Sequence, residues 1–167
     1  MRVATILLVM FSLIGAGFAF QSEGGVPKTA SATKPESPSG TAKSSFSVYH
    51  AGPWEQKIGY AQAIRAGHTI YISGAVGADD KGFPKDLETQ MKLAYASIGK
   101  TLGHYGARFS DIAMERIYTT DMDGLIKCQE VRKNIYGTSL PAATWVEVRR
   151  LYDPAALIEI EVELVVD

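Results

Sequence analysis

The chain is 167 residues long, 46% hydrophobic and 21% charged, the make-up of one ordinary globular domain with little chain to spare. Its 17 Lys and Arg face 18 Asp and Glu, a formal net charge of -1, so the cationic excess that grips phosphate backbones is missing and no nucleic-acid partner is expected. Cys128 is the only cysteine, which excludes an intrachain disulfide.

At the amino terminus, Met1-Arg2 precedes apolar or small residues from 3 to 20, and the run stops at Gln21-Ser22-Glu23. A charged start, an apolar middle and small residues at the exit describe a secretory signal peptide over 1–19, cleaved after Ala19. The alternative is an uncleaved membrane anchor, since the run approaches bilayer-spanning length. Cleavage makes the product an exported protein, periplasmic or secreted, with no stable membrane association. Retention makes it membrane-anchored. Residues 20–45 are rich in Gly, Ser, Thr, Lys and Pro, with Pro27, Pro35 and Pro38 spaced along them. They hold too little apolar surface to offset ordering entropy and read as a disordered linker. The folded domain is then 46–167.

Short strands are expected over 46–50 and 59–65, joined through Gly52-Pro53, with a firmer one over 68–73 bounded by Gly67 and Gly74. Residues 74–84 have loop composition. From Leu87 the period changes: Leu87, Met91, Ala94, Ile98 and Leu102 recur at threes and fours, the stripe of an amphipathic helix that Gly106 ends. A strand follows over 109–118. Asp121-Met122-Asp123-Gly124 is an N-cap signal, and Leu125, Cys128, Val131 and Ile135 form a second helical stripe, which makes Cys128 a buried structural thiol. Residues 143–150 and 158–164 complete the set, and the Tyr152-Asp153-Pro154 turn between them predicts a terminal hairpin. In the last strand Ile158, Ile160, Val162 and Leu164 make one apolar row. Glu159, Glu161 and Glu163 line the opposite face, about 7 Å apart.

The inventory is three strands, a helix, a strand, a helix and two strands, an α+β layer with both helices on one sheet face. The other face is left uncovered. Counted by strand parity, Trp145 lies on it with the glutamates, and aromatic residues at such a surface predict contact in a symmetric homo-oligomer. Metal ligation is not expected, because His50, His68 and His104 show no HxH or HExxH spacing. Neither a phosphate loop of the GxGxxG or GxxxxGK[ST] type nor a GxSxG elbow is present.

Five stretches, GYAQAIRAGHTIYISG (59–74), DLETQ (86–90), YTTDM (118–122), LPAATWVEVRRL (140–151) and IEIEVEL (158–164), occur in the order seen in the RidA/YjgF family, which the chain resembles over about 49–166. That family holds reactive-intermediate imine deaminases and their relatives. The resemblance implies a chorismate-mutase-like fold, a six-stranded mixed sheet with two helices on one face. It also implies a homotrimer with clefts between subunits, and a hydrolysis of small imines or enamines that uses no cofactor. In deaminating members a Glu of the last strand orients the attacking water, which corresponds to Glu159. Tyr60, Ser73 and Gly74 correspond to cleft-lining positions, as do Ala143, Thr144 and Trp145. Gln129 stands where many deaminating members carry Asn, and Trp145 where Cys is common. Ala143 stands where the family's PAR motif places the Arg that holds a substrate carboxylate. Losing such a charge-assisted contact removes about 2–5 kcal/mol when it is desolvated. The resemblance therefore supports either an imine hydrolase with a changed substrate or a non-catalytic exported trimer that binds a small ligand against Trp145 and Tyr60.

Overall fold

The alternating C-terminal segment is the centre of the sheet, and the rest of the domain is laid out around it. The structure, a computed structural model, describes residues 46–167. The expected leader (1–19) and linker (20–45) lie outside the described residues. In chain order the elements are β1 (Phe46–Tyr49), α1 (Pro53–Ile58), β2 (Ala63–Ala66), β3 (Thr69–Val76), α2 (Leu87–His104), β4 (Ile112–Thr119), α3 (Met122–Lys127), α4 (Gln129–Tyr136), β5 (Ala142–Glu147) and β6 (Ile158–Val165). One mixed six-stranded sheet has the order β1-β2-β3-β6-β4-β5, with every pair antiparallel except β4–β5. This is the α+β architecture expected. Among the described residues no helix is long and apolar enough to cross a membrane.

β6 takes the middle because its inner row is entirely apolar: Ile158, Ile160, Val162 and Leu164 are all at most 1% exposed. A strand flanked on both sides satisfies both rows of its main-chain groups, which suits the most buried segment. The helical layer covers that row. Asp86 caps α2, its carboxylate accepting from the Thr89 N–H at 2.8 Å, and Met91, Ala94, Tyr95, Ile98 and Leu102 point inward from it. α2 lies across β3 and β6.

The terminal hairpin is not there. β5 runs parallel to β4 at the sheet edge, reached by the crossover through α3 and α4, and is not paired with β6. The stretch containing Tyr152-Asp153-Pro154 is a long return that carries the chain from the edge to the centre. A parallel partner needs a crossover and an antiparallel neighbour needs only a turn, and the turn residues drew the wrong inference. Trp145 is a second correction. It pairs with Ile117, which pairs with Ile160, both fully buried, so Trp145 faces the helices rather than the glutamate side. Parity counted within single strands missed this because face is set through β4.

Three local differences have plain causes. Residues 53–58 form a one-and-a-half-turn helix where a connection was expected, with Pro53 at its first position and Gly59 closing it at φ 74°, so β2 begins only at Ala63. The second helical stripe is two helices that meet at Cys128, half-buried against the core, whose thiol pKa is raised, chiefly by burial. The strand expected from 109 begins at Ile112, after a 3-10 turn over Phe109–Asp111.

Candidate active site

The glutamate face of β6 is open, and its three carboxylates are not equivalent. Arg116 on β4 donates to Glu163 at 2.6 Å and to Glu161 at 3.2 Å, and the Tyr118 hydroxyl donates to Glu161 at 3.1 Å. Glu159 has no hydrogen-bond partner among the described residues. It is half-buried, and its pKa is raised, first by burial and then by the negative charge of Glu161.

A bulge in β3 brings a second strand to Glu159. Ile72 pairs with Val162, and the next pair is Ala75 with Ile160, so Ser73 and Gly74 together oppose one residue, Glu161. Gly74 leaves room for the Glu159 side chain. A Cβ on it would stand 2.7 Å from Cδ and 2.8 Å from Cγ of Glu159, and nearer still to Oε1. The bulge is held from the side. Ser73 Oγ donates to the Ala61 carbonyl at 2.7 Å, the Ser73 N–H to that of Gln62 at 3.0 Å, and the Tyr60 hydroxyl to that of Gly74 at 3.2 Å. Trp54 stacks on Tyr60, ring centres 6.0 Å apart and 14° between planes. The Tyr60 phenol has a raised pKa, chiefly because it is buried; the nearby Ser73 side chain opposes this, and the charges of Glu55 and Glu159 add to it. The hydroxyl therefore stays protonated at neutral pH, a neutral donor beside a carboxylate. Close by on the open face, a cavity of about 240 Å³ is lined by Tyr71, Ser73, Arg116, Glu161 and Glu163.

Tyr60, Ser73, Gly74 and Glu159 are thus brought together, while the remaining sequence-derived residues lie elsewhere. β4 separates β5 from β6. Ala143 is in register with Glu115, and Glu159 with Tyr118, three positions along β4 and on the other face. Within one protomer Ala143 and Trp145 cannot join Glu159. Thr144, in register with Arg116, faces the glutamate side but sits on the outermost strand. Gln129 opens α4 and shares a helix face with Arg132 three residues on.

That second region is built on a buried polar cluster. Glu115, fully buried, accepts from the hydroxyls of Tyr95 at 2.8 Å and Tyr136 at 2.7 Å, and from Nε of Arg132 on α4. Both phenols are held well above their usual range, first by burial and then by the Glu115 charge. The Arg132 guanidinium lies 5.0 Å from the Tyr136 ring centre and 5.7 Å from that of Trp145. The sequence reading passed over Glu115, Arg132, Arg116 and Trp54. Glu115 carried a signal, a lone carboxylate on the apolar parity of its strand; the partners came from distant segments and carried none.

A larger apolar cavity of about 480 Å³ lies between α2 and α4, lined by Tyr95, Phe109, Val131 and Ile135. Its rim carboxylates, Glu88 and Glu130, are paired with Lys92 and Lys133, and it holds none of the residues around Glu159. Among the described residues no group of three or more His, Cys, Asp or Glu is placed to hold a metal ion.

Comparison with known proteins matches residues 54–166 to the family model described as endoribonuclease L-PSP. A RutC family protein of Pyrococcus horikoshii is 34% identical over 105 residues, covering 61% of this chain and 82% of its own. The mouse 2-iminobutanoate/2-iminopropanoate deaminase is 32% identical over 101 residues, 59% of this chain and 70% of the mouse protein. A solved structure of a YjgF-family member from Mycobacterium tuberculosis superposes with a TM-score of 0.66 at 31% identity, covering 73% of this chain and all of that one.

Proposed function

The chain belongs to the endoribonuclease L-PSP family, the RidA/YjgF group, and from that premise we propose that it is a deaminase-type hydrolase of small imines or their enamine tautomers. Water attacks the C=N carbon while Glu159 takes one of its protons and passes it to the imine nitrogen, giving a carbinolamine. Glu159 then takes the hydroxyl proton of that adduct and delivers it to nitrogen, so that the C–N bond breaks, ammonia leaves and the carbonyl forms. Tyr60, Ser73 and Gly74 hold the Glu159 side of the site. The observation that carries this reading is the unpaired state of Glu159: Arg116 and Tyr118 donate hydrogen bonds to Glu161 and Glu163, and the Glu159 carboxylate, which receives none among the described residues, is left to bind a water. The raised pKa suits a general base, which works best when its pKa approaches the operating pH. The deaminase activity in the names of the mouse and bovine relatives supports the same reaction class.

The complete site takes two copies. Ala143 and Trp145 lie away from Glu159 in one protomer, so we place the Gln129, Ala143, Thr144 and Trp145 region of one subunit against the Glu159 face of its neighbour in a homotrimer, exported under the direction of residues 1–19. Net charge and the open carboxylate face argue against RNA as the substrate, whatever the family description says. One observation favours a second reading, an exported trimer that only binds a ligand: position 143 carries no cation to hold an α-carboxylate.

Ammonia release from a panel of freshly generated imines distinguishes the two, comparing wild type with Glu159→Gln and Ala143→Arg. Wild-type turnover lost in Glu159→Gln is the result the hydrolase reading expects. Turnover that appears only in Ala143→Arg leaves the binding reading standing.

A further inference from the structure

Two buried N–H donors in adjoining side chains have no acceptor among the described residues: Nη2 of Arg132 and Nε1 of Trp145. Arg132 is only 8% exposed, with its guanidinium 5.7 Å from the Trp145 ring centre. Buried donors are nearly always paired, because an unpaired one forfeits the bonds it made in water. The adjoining chain offers an approach. β5 is an edge strand, so one row of its main-chain groups has no strand partner among the described residues. Ala143 is exposed, faces the same side as Glu115 and Trp145, and presents only a methyl group at that position.

We propose that Arg132 and Trp145 form an acceptor-binding pair beside Ala143, and that the pair takes an uncharged carbonyl oxygen, such as that of a carboxamide or lactam, in preference to a carboxylate. The inference rests on the reading that Ala143 and Trp145 border the cleft. Its chemistry follows from how Arg132 is held. The guanidinium is permanently charged, but its Nε is committed to Glu115, which balances that charge. An incoming carboxylate gains the two donors and meets the Glu115 anion behind them. An amide carbonyl gains the same donors without the repulsion. The indole can only donate, and its ring adds a flat apolar wall. The ligand class is therefore small flat or apolar molecules that carry a neutral carbonyl.

The test titrates benzamide and benzoate into the full-length protein, observed by ligand NMR. Benzamide is expected to bind at least tenfold more tightly than benzoate. Trp145→Phe keeps an aromatic ring and removes one donor, and should weaken benzamide at least fivefold. Glu115→Gln keeps an acceptor for the tyrosines and removes the balancing charge, and should move the benzamide-to-benzoate ratio at least tenfold toward benzoate. Equal binding, a wild-type preference for benzoate, no saturable benzamide binding, or benzamide affinity unchanged in Trp145→Phe would each overturn the proposal. If Glu115→Gln does not fold, the Trp145→Phe comparison decides by itself. Turnover plays no part in the readout: a protein that releases ammonia yet prefers benzoate keeps the hydrolase reading and loses this one.

Discussion

Replacing Gly74 by Ala isolates the closest contact in the proposed site. The backbone tolerates the change, since Gly74 is not among the residues with positive φ. The nearest atoms to the methyl would belong to the Glu159 side chain, 2.7 Å from Cδ and 2.8 Å from Cγ, where ordinary contact begins near 3.4 Å. A carboxylate at the end of a flexible side chain yields more easily than the sheet, so Glu159 rotates away by about 1 Å and the strands stay paired. A displacement of that size costs a reaction that depends on a positioned base about 100-fold, or roughly 2.7 kcal/mol of transition-state stabilisation. Ammonia release on the best imine of the panel and thermal unfolding should be measured on the same preparation. The expected pair of results is kcat/KM down by about two decades and Tm moved by no more than about 3 °C. Full activity in Gly74→Ala would show that the position of Glu159 does not matter to the chemistry. A large fall in Tm would show that the glycine serves packing instead.

Two further outcomes test the electrostatics. Glu159 must be ionised to act as a base and its pKa is raised, so the rate should climb with pH through an inflection above the ordinary Glu value of about 4.3. Glu161→Gln removes one cause of that rise and should move the inflection to lower pH; an unmoved acid limb refutes the coupling. The same shift bears on stability. A fold that favours the protonated acid loses stability as pH rises from the unfolded pKa through the folded one, so Glu159→Gln should unfold at a higher temperature than wild type at neutral pH. In the core, Arg132→Leu strands the Glu115 carboxylate with its two tyrosines, and should cost about 3–5 kcal/mol, roughly 10–20 °C in Tm for a domain of this size. Pairing it with Glu115→Leu should recover most of the loss, because the desolvated charge goes too; calorimetry showing a simple sum of the two single effects would refute the ion-pair account.

The inner face of the domain was legible from residue order. The helical stripe of α2, the alternation of β6 and the glycine at 106 obey local rules, since side-chain direction repeats with fixed period and a left-handed backbone position selects its residue. Family resemblance added Tyr60, Ser73, Gly74 and Glu159, which the bulge in β3 does gather. Pairing lay beyond it. Whether the segment after the Tyr152 turn folds back on β5 or inserts between β3 and β4 depends on which placement buries four apolar side chains and fills both rows of main-chain bonds, a property of the whole sheet. That one choice put β4 between the two halves of the proposed site, turned Trp145 toward the helices, gave Arg116 to Glu161 and Glu163, and left Glu159 unpaired among the described residues.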